Sequence, residues 1–163
     1  MDNLKEAYHE AYTGESKAAL RLKIYAKQAE QEGLPAMARL FRVISLSEEI
    51  HGERSLRMLR ELKGTEDNLK SSFESETRVA GVAYDRFVKL ASEQDNKTAM
   101  LVFSQSRDVE ETHARLYKEA MSHVMEERET KYYVCQVCGY VSDGVWPDTC
   151  PVCSAARDQF VEY

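Results

Sequence analysis

Glu48-Glu49-Ile50-His51 and Glu110-Glu111-Thr112-His113 are two copies of one pattern, and the reading of the whole chain starts from them. In each copy a carboxylate and an imidazole stand three residues apart, which on an α-helix puts them on one face a single turn from each other. A helix that turns both groups toward its own apolar stripe must satisfy them, and a metal ion is the commonest partner able to do so. A lone pair of this kind reads as solvated surface. Two pairs with matching neighbours read as two half-sites.

The flanking sequence supplies the stripes. From Leu4 to about Glu32 the positions Leu4, Tyr8, Ala11, Ala18, Leu22, Tyr25 and Ala29 step by threes and fours, and the one place between Ala11 and Ala18 is held by Glu15. Gly33 is a C-terminal stop and Pro35 fits the first turn of the next helix. The spacing predicts a second helix over about 35–63, with Met37, Phe41, Ile44, Glu48, His51, Met58 and Leu62 in register and Glu49 one residue off the stripe, solvated or supporting. Residues 64–68 break the pattern, with Thr65 or Asp67 as N-cap. A third helix runs to about Gln94 with Leu69, Phe73, Glu76, Ala80, Ala83, Phe87 and Leu90 on its stripe. After a turn at Asp95-Asn96, the fourth places Ala99, Phe103, Ser106, Glu110, His113, Tyr117, Ala120 and Val124 in register. His9 and His123 fall beside the stripes and read as surface groups.

Glu15 lies 33 residues before Glu48, and Glu76 lies 34 before Glu110. The chain is thus read as mainly α, with two helical hairpins of one design forming a four-helix bundle over residues 1–128. Brought together, Glu15, Glu48, His51, Glu76, Glu110 and His113 are enough for two metal ions with positions left open. Hard oxygen ligands with one imidazole per metal suit iron or manganese better than a closed zinc site. Four interior carboxylates without cations would repel and protonate.

Composition agrees. Charged residues make up 31%, aromatics 9%, and glycine and proline total 10 of 163 residues, which favours long helices. A net charge of −6 and the absence of a basic block argue against nucleic acid. No apolar run approaches membrane-spanning length and Met1–Glu6 has no signal-peptide core, so a cytoplasmic protein is expected. Beyond a charged hinge at Glu126–Lys131 the composition changes. Residues 131–163 hold all four cysteines, as Cys135-x-x-Cys138-Gly-Tyr and Cys150-Pro-x-Cys153, two knuckles whose thiolates surround one ion. On spacing alone iron and zinc are equally good occupants.

With these residues in view the chain resembles the rubrerythrin family over essentially its whole length. The matching stretches are Gly14-Glu15-Ser16, Glu48-x-x-His51, Asn68-Leu69-Lys70 leading to Glu76-Thr77, Glu110-x-x-His113 and the two cysteine knuckles. The resemblance implies a ferritin-like di-iron bundle followed by a rubredoxin-like domain. It implies that Glu48 and Glu110 bridge two irons, Glu15 and Glu76 are terminal carboxylates, His51 and His113 are nitrogen ligands, and Cys135, Cys138, Cys150 and Cys153 hold one further iron. The family pattern has a second acidic ligand three residues after the first on the third helix, and here that place is Val79. The iron movement that this carboxylate allows is then lost or altered, and His51 stays bound in both oxidation states.

A ferritin-like bundle sets its second and third helices parallel, so the link between them must travel most of a helix of about 42 Å. Five residues at 64–68 span at most about 18 Å. The expectation is a domain-swapped homodimer, each di-metal site drawing Glu15, Glu48 and His51 from one chain and Glu76, Glu110 and His113 from its neighbour. The implied activity is reduction of hydrogen peroxide, a defence against oxidative stress, with electrons from an NAD(P)H-dependent reductase or a rubredoxin. The chain has no Gly-rich dinucleotide fingerprint of its own. Tyr25, Tyr84 and Tyr117 are candidates for hydrogen-bonding or electron-path roles, with core packing the simpler one. The rival readings are a ferroxidase or oxygen-reducing protein on the same ligands, and a zinc-ribbon scaffold without enzymatic activity.

Overall fold

The structure, a computed structural model, describes residues 2–122 and 130–163, and its contacts divide it into Met1–Lys63 and Gly64–Tyr163. The first unit is a helical hairpin of α1 (Asp2–Gln31) and α2 (Pro35–Leu59). Gly33 turns left-handed at φ +73, and the amides of Gly33 and Leu34 bond back to the carbonyls of Glu30 and Ala29 at 3.0 and 2.8 Å. This closure satisfies the last carbonyls of α1 and favours glycine, which has no Cβ to clash. Arg60 repeats the device at φ 58 and ends α2 four residues before the predicted Lys63. The link to α3 (Thr65–Arg78) is therefore Arg60–Gly64, still five residues, and Gly64 starts α3 without the side-chain cap expected of Thr65 or Asp67.

The buried seam of this hairpin is not the predicted stripe. On α2 the buried residues are Ala38, Ser45, Gly52 and Leu59, one every seven positions, and on α1 they are Ala19, Ala26 and Ala29. Small side chains on this repeat let two helices approach closely, and the Ser45 hydroxyl crosses the seam to donate to the Ala19 carbonyl at 2.9 Å. The stripe one position over stays open instead: Tyr25, Met37, Ile44 and Met58 are 40–60% exposed. A helix in a bundle has two neighbours, and its hairpin mate takes only one face.

The second unit opens with α3, a π-helical turn at Val79–Tyr84 and α4 (Asp85–Glu93), and returns along α5 (Lys97–Ser122). The predicted turn at Asp95-Asn96 is present, and Asn96 Oδ1 accepts from the Ala99 amide at 3.0 Å to cap α5. The π-turn has a counterpart in the repeat. Glu15 and Glu76 are 61 residues apart, whereas Tyr25 and Phe87, Phe41 and Phe103, Glu48 and Glu110 are each 62 apart. One extra residue therefore lies between Glu76 and Phe87, where the π-turn is found, and a π-turn is the conformation that takes an added residue without turning the rest of a helix off its face. Tyr25–Phe41 and Phe87–Phe103 accordingly meet at matching places in the two hairpins, with ring centres 5.7 and 5.5 Å apart and ring planes at 65° and 44°.

The C-terminal module is a three-stranded antiparallel sheet in the order β2–β1–β3, with β1 Tyr132–Cys135, β2 Val141–Asp143 and β3 Phe160–Glu162. Tyr133, Cys135, Cys150 and Phe160 form its core. Trp146 stacks on Tyr133 at 5.3 Å, and the Arg157 guanidinium lies 5.0 Å over the Trp146 ring. His123, Val124 and most of the predicted hinge lie outside the described residues, while Lys131 pairs with Glu162 at 2.7 Å. No described helix is long and apolar enough to cross a membrane.

Deletion of Gly81 gives the second hairpin the spacing of the first. A continuous α-helix is expected, with the thermal midpoint unchanged or up by about 2–4 °C, since a helical glycine costs about 1 kcal/mol. A large drop in the midpoint, read by circular dichroism, would show that the π-turn is required by the fold.

Candidate metal centres

Each hairpin gathers one predicted triad. In the first, Glu15 of α1 meets Glu48 and His51 of α2, and in the second, Glu76 of α3 meets Glu110 and His113 of α5. Within each set the candidate ligand atoms all lie within 4.8 Å of one another. His51 Nδ1 is 3.2 Å from Glu48 and 3.9 Å from Glu15, and His113 Nδ1 is 3.1 Å from Glu110. The six predicted residues thus come as two triads, one per unit.

The electrostatics test whether a cation fits. Glu15 is held above the usual carboxyl range, first by the hydrogen bond it shares with Glu48, then by burial and the Glu48 charge, with His51 opposing. Glu76 is pushed up to about 7 by burial, by its hydrogen bond to Glu110 and by that charge, with His113 opposing. Two carboxyls at this separation keep a proton between them unless a positive charge replaces it. Both triads, rich in oxygen with one imidazole nitrogen, fit a hard divalent ion. Glu49 is outside this set as expected: Lys23 at 3.0 Å and the Ser45 hydroxyl at 3.3 Å hold it, keeping its carboxylate low. His9 pairs with Glu61 at 3.5 Å at the surface.

The four cysteines converge as predicted. Cys135 and Cys150 are buried, and the Sγ atoms of Cys135–Cys153 and Cys138–Cys150 are 3.7 and 3.6 Å apart. These distances exclude disulfides and match the roughly 3.8 Å edge of a tetrahedron with metal–sulfur bonds of about 2.3 Å. The two knuckles share one hydrogen-bond scheme: Gly139 N–H to Cys135 O and Cys135 N–H to Tyr140 O, Ser154 N–H to Cys150 O and Cys150 N–H to Ala155 O, all at 2.8–2.9 Å. Gly139 and Ser154 turn left-handed at φ +84 and +61. Burial pushes the Cys135 thiol up, but the amides of Cys138 and Val137 together with hydrogen bonds to the Cys153 and Cys138 side chains leave it below its ordinary value, whereas burial dominates at Cys138 and raises it.

One functional contact could not be read from the sequence. The Gly139 carbonyl, one peptide from Cys138, accepts from His113 Nε2 at 3.3 Å. That bond fixes the proton on Nε2 and leaves Nδ1 to face the triad, the usual arrangement behind a ligating imidazole. The module thereby rests on α5 through a side chain of the triad. Tyr25 and Tyr84 are packed ring to ring with Phe41 and with Phe87 and Phe103, and Tyr117 lines a hollow beside His113.

Residues 6–121 match the family model for rubrerythrin, and residues 133–161 match that for the rubrerythrin rubredoxin-like domain. The chain belongs to the rubrerythrin family. It is 29% identical to Rubrerythrin-2 of Clostridium acetobutylicum over 92% of this chain and 91% of that protein. To nigerythrin of Nitratidesulfovibrio vulgaris it is 28% identical, over 100% of this chain and 86% of that one. A solved structure of fully reduced, all-ferrous nigerythrin matches with a TM-score of 0.61 at 26% identity, over 98% of this chain and 86% of that chain. The fold is thus the expected one, a ferritin-like helical bundle followed by a rubredoxin-like four-cysteine domain, in a di-iron oxidoreductase family.

The Glu76 carboxyl ionises near 4.5 in an unfolded chain and near 7 in the folded metal-free one. Its contribution to stability is fully present below pH 4.5 and is lost as pH rises through 7. Metal-free protein is therefore expected to melt at a lower temperature at pH 8 than at pH 5.5, and metal-loaded protein to lose that slope. Calorimetry with and without chelator checks it, and a flat metal-free profile would mean that the carboxyls are not crowded.

Proposed function

We propose that this chain is a di-iron peroxidase that reduces hydrogen peroxide to water. One observation carries the reading: matched Glu, Glu and His triads recur on two hairpins, and a four-thiol module rests on the imidazole of one of them. Glu48 and Glu110 with Glu15 and Glu76 would hold the pair of irons by their carboxylates, and His51 and His113 would be the nitrogen ligands. Cys135, Cys138, Cys150 and Cys153 hold a further iron, giving domains at 1–128 and 131–163. When bound, a ferrous pair would supply two electrons, which with two protons is what turning one peroxide into two waters requires. The protein residues orient and neutralise: the Glu76 carboxyl exchanges its proton for the cation, and His113 is held at Nε2 by the Gly139 carbonyl, which leaves Nδ1 facing the triad. The module is the relay, supplied by a separate NAD(P)H-dependent reductase or a rubredoxin.

Val79 supports a second reading, oxygen reduction or ferroxidase chemistry. Val79 is half-buried where the family pattern has a carboxylate, so His51 keeps its place in both oxidation states and the site is more nearly symmetric. Stopped-flow reoxidation of the fully reduced protein separates the two. Peroxide is expected to outpace dioxygen by at least about tenfold, and the reverse order would assign the protein to oxygen.

The assembly we infer is a domain-swapped homodimer. Its support is the five-residue link, set against an α2 of 25 residues that is about 37 Å long. The exposed stripe and the division of the ligands into one triad per hairpin support it further. Co-purified heterodimers of Glu48→Ala and Glu110→Ala chains test it. In a swapped dimer one site collects both defects and the other none, so half of the wild-type di-iron content and activity is expected. Restoration of neither would show that each chain builds its own site.

A further inference from the structure

The two hairpins follow one plan, and three matched positions at which they differ gather around Glu48. Counted through the repeat, Tyr12 stands where the second hairpin has Phe73, Ser16 where it has Thr77, and Gly52 where it has Ala114. The Thr77 hydroxyl is turned back onto the Phe73 carbonyl at 2.8 Å, and Ala114 is buried. In the first hairpin the Tyr12 and Ser16 hydroxyls have no hydrogen-bond partner among the described residues. Gly52 is buried beside them with no side chain at all. A methyl on it would stand 3.8 Å from Ser16 Oγ, 3.8 Å from Glu15 Cβ and 3.9 Å from the Tyr12 ring, so alanine would fit there without strain. Glycine within a helix is the less stable choice, and what it leaves is space.

That space belongs to a hollow of about 300 Å³ whose lining includes Tyr12, Ser16, Lys23, Glu48, Glu49 and Gly52. Every lining residue lies on α1 or α2, so the hollow is complete within one hairpin. Lys23 and Glu49 set it across the seam of Ala19 and Gly52 from the stripe that carries His51. Its outer charges are already paired, Lys23 with Glu49 at 3.0 Å and Glu53 with Arg57 at 2.6 Å, so those carboxylates are not free to collect a cation. A neutral, hydrogen-bonding molecule suits such a wall. The volume has room for several waters, and two hydroxyls with the Glu48 carboxylate are the number of polar partners that an ordered water needs.

We propose that this hollow is a water site that carries protons to the first triad: water held by the Tyr12 and Ser16 hydroxyls passes protons to the Glu48 carboxylate, and Gly52 keeps the gap between them open. The inference rests on the di-iron reading for the use of those protons. Each peroxide takes up two protons along with two electrons, and the stripe on the other side of the triad is lined by Phe41, Ile44 and Met58, which carry none. The protons need a polar way in. Exchange along a line of hydrogen bonds moves a proton and leaves each hydroxyl as it began, so Tyr12 and Ser16 are positioning residues that hold the water. The entry is one-sided, because Phe73 and Ala114 put a ring without a hydroxyl and a methyl at the matching places of the second hairpin.

Crystals of the full chain loaded with zinc, which cannot turn over, test the seat. Ordered water within hydrogen-bond distance of the Tyr12 or Ser16 hydroxyl and of Glu48 is expected, and Gly52→Ala should displace it. A dry hollow, a hollow filled by a side chain of a second copy, or water on Lys23 and Glu49 alone would overturn the proposal. Stopped-flow reoxidation of the reduced iron protein by peroxide reads the relay. The Y12F/S16A variant should react about tenfold slower or more, with a larger solvent deuterium isotope effect and unchanged iron content, and Y12F/S16T should recover most of the rate. Gly52→Ala should be slowed as well while melting no lower than the wild type, since alanine is the better helix former. Wild-type rates in these variants would sink the relay, and so would slowing without a change in the isotope effect, which marks packing, or slowing with loss of iron, which marks metal retention. The water site needs no iron, so its failure is separable from failure of the di-iron reading, which metal analysis decides.

Discussion

Repulsion between paired carboxyls is the constraint on which the site depends. Glu15 with Glu48 and Glu76 with Glu110 are brought together by paired helices, and in the first hairpin these helices have already committed a close-packed seam to each other, so the crowding is not relieved by moving apart. It must hold protons or cations there, and the imidazole placed one turn away offsets only part of the charge. Such a site is unfavourable for the folded chain alone and favourable with metal, which couples metal uptake to proton release and to stability.

The small-residue seam makes that arrangement possible. With Ala38, Ser45, Gly52 and Leu59 consumed between α1 and α2, the residues one position over are freed for a different neighbour. Those residues include both the large apolar side chains and the ligands. The same helix therefore has two jobs on adjacent faces, and the periodicity of large residues reports only the second. This is why Tyr25, Met37 and Met58 read as core in the sequence and yet stand exposed, while the true hairpin seam is built of residues too small to stand out.

Much of the rest was legible because it rests on spacing. Glu-x-x-His twice, a lone Glu on each preceding stripe and two Cys-x-x-Cys knuckles are fixed by helix and turn geometry, and the triads and the four-thiol cluster form where those spacings put them. The early end of α2 was not legible, because Arg60 in a left-handed conformation is a residue no propensity would choose. The π-turn was visible only as a one-residue difference between 33 and 34, which has no meaning until the aromatic pairs on either side are matched. The Gly139–His113 bond was out of reach altogether, since it joins a knuckle to a helix 26 residues away in sequence through a backbone atom.

Trp146 has a consequence of its own. It is the chain's single tryptophan, held between the Tyr133 ring and the Arg157 guanidinium within the small sheet, far in composition from the helices. Its ultraviolet emission is therefore a private optical channel for the C-terminal fold, while far-ultraviolet ellipticity is dominated by the hairpins. Loosening of one part ahead of the other can be watched in a single cuvette, without a label and without a change to any residue.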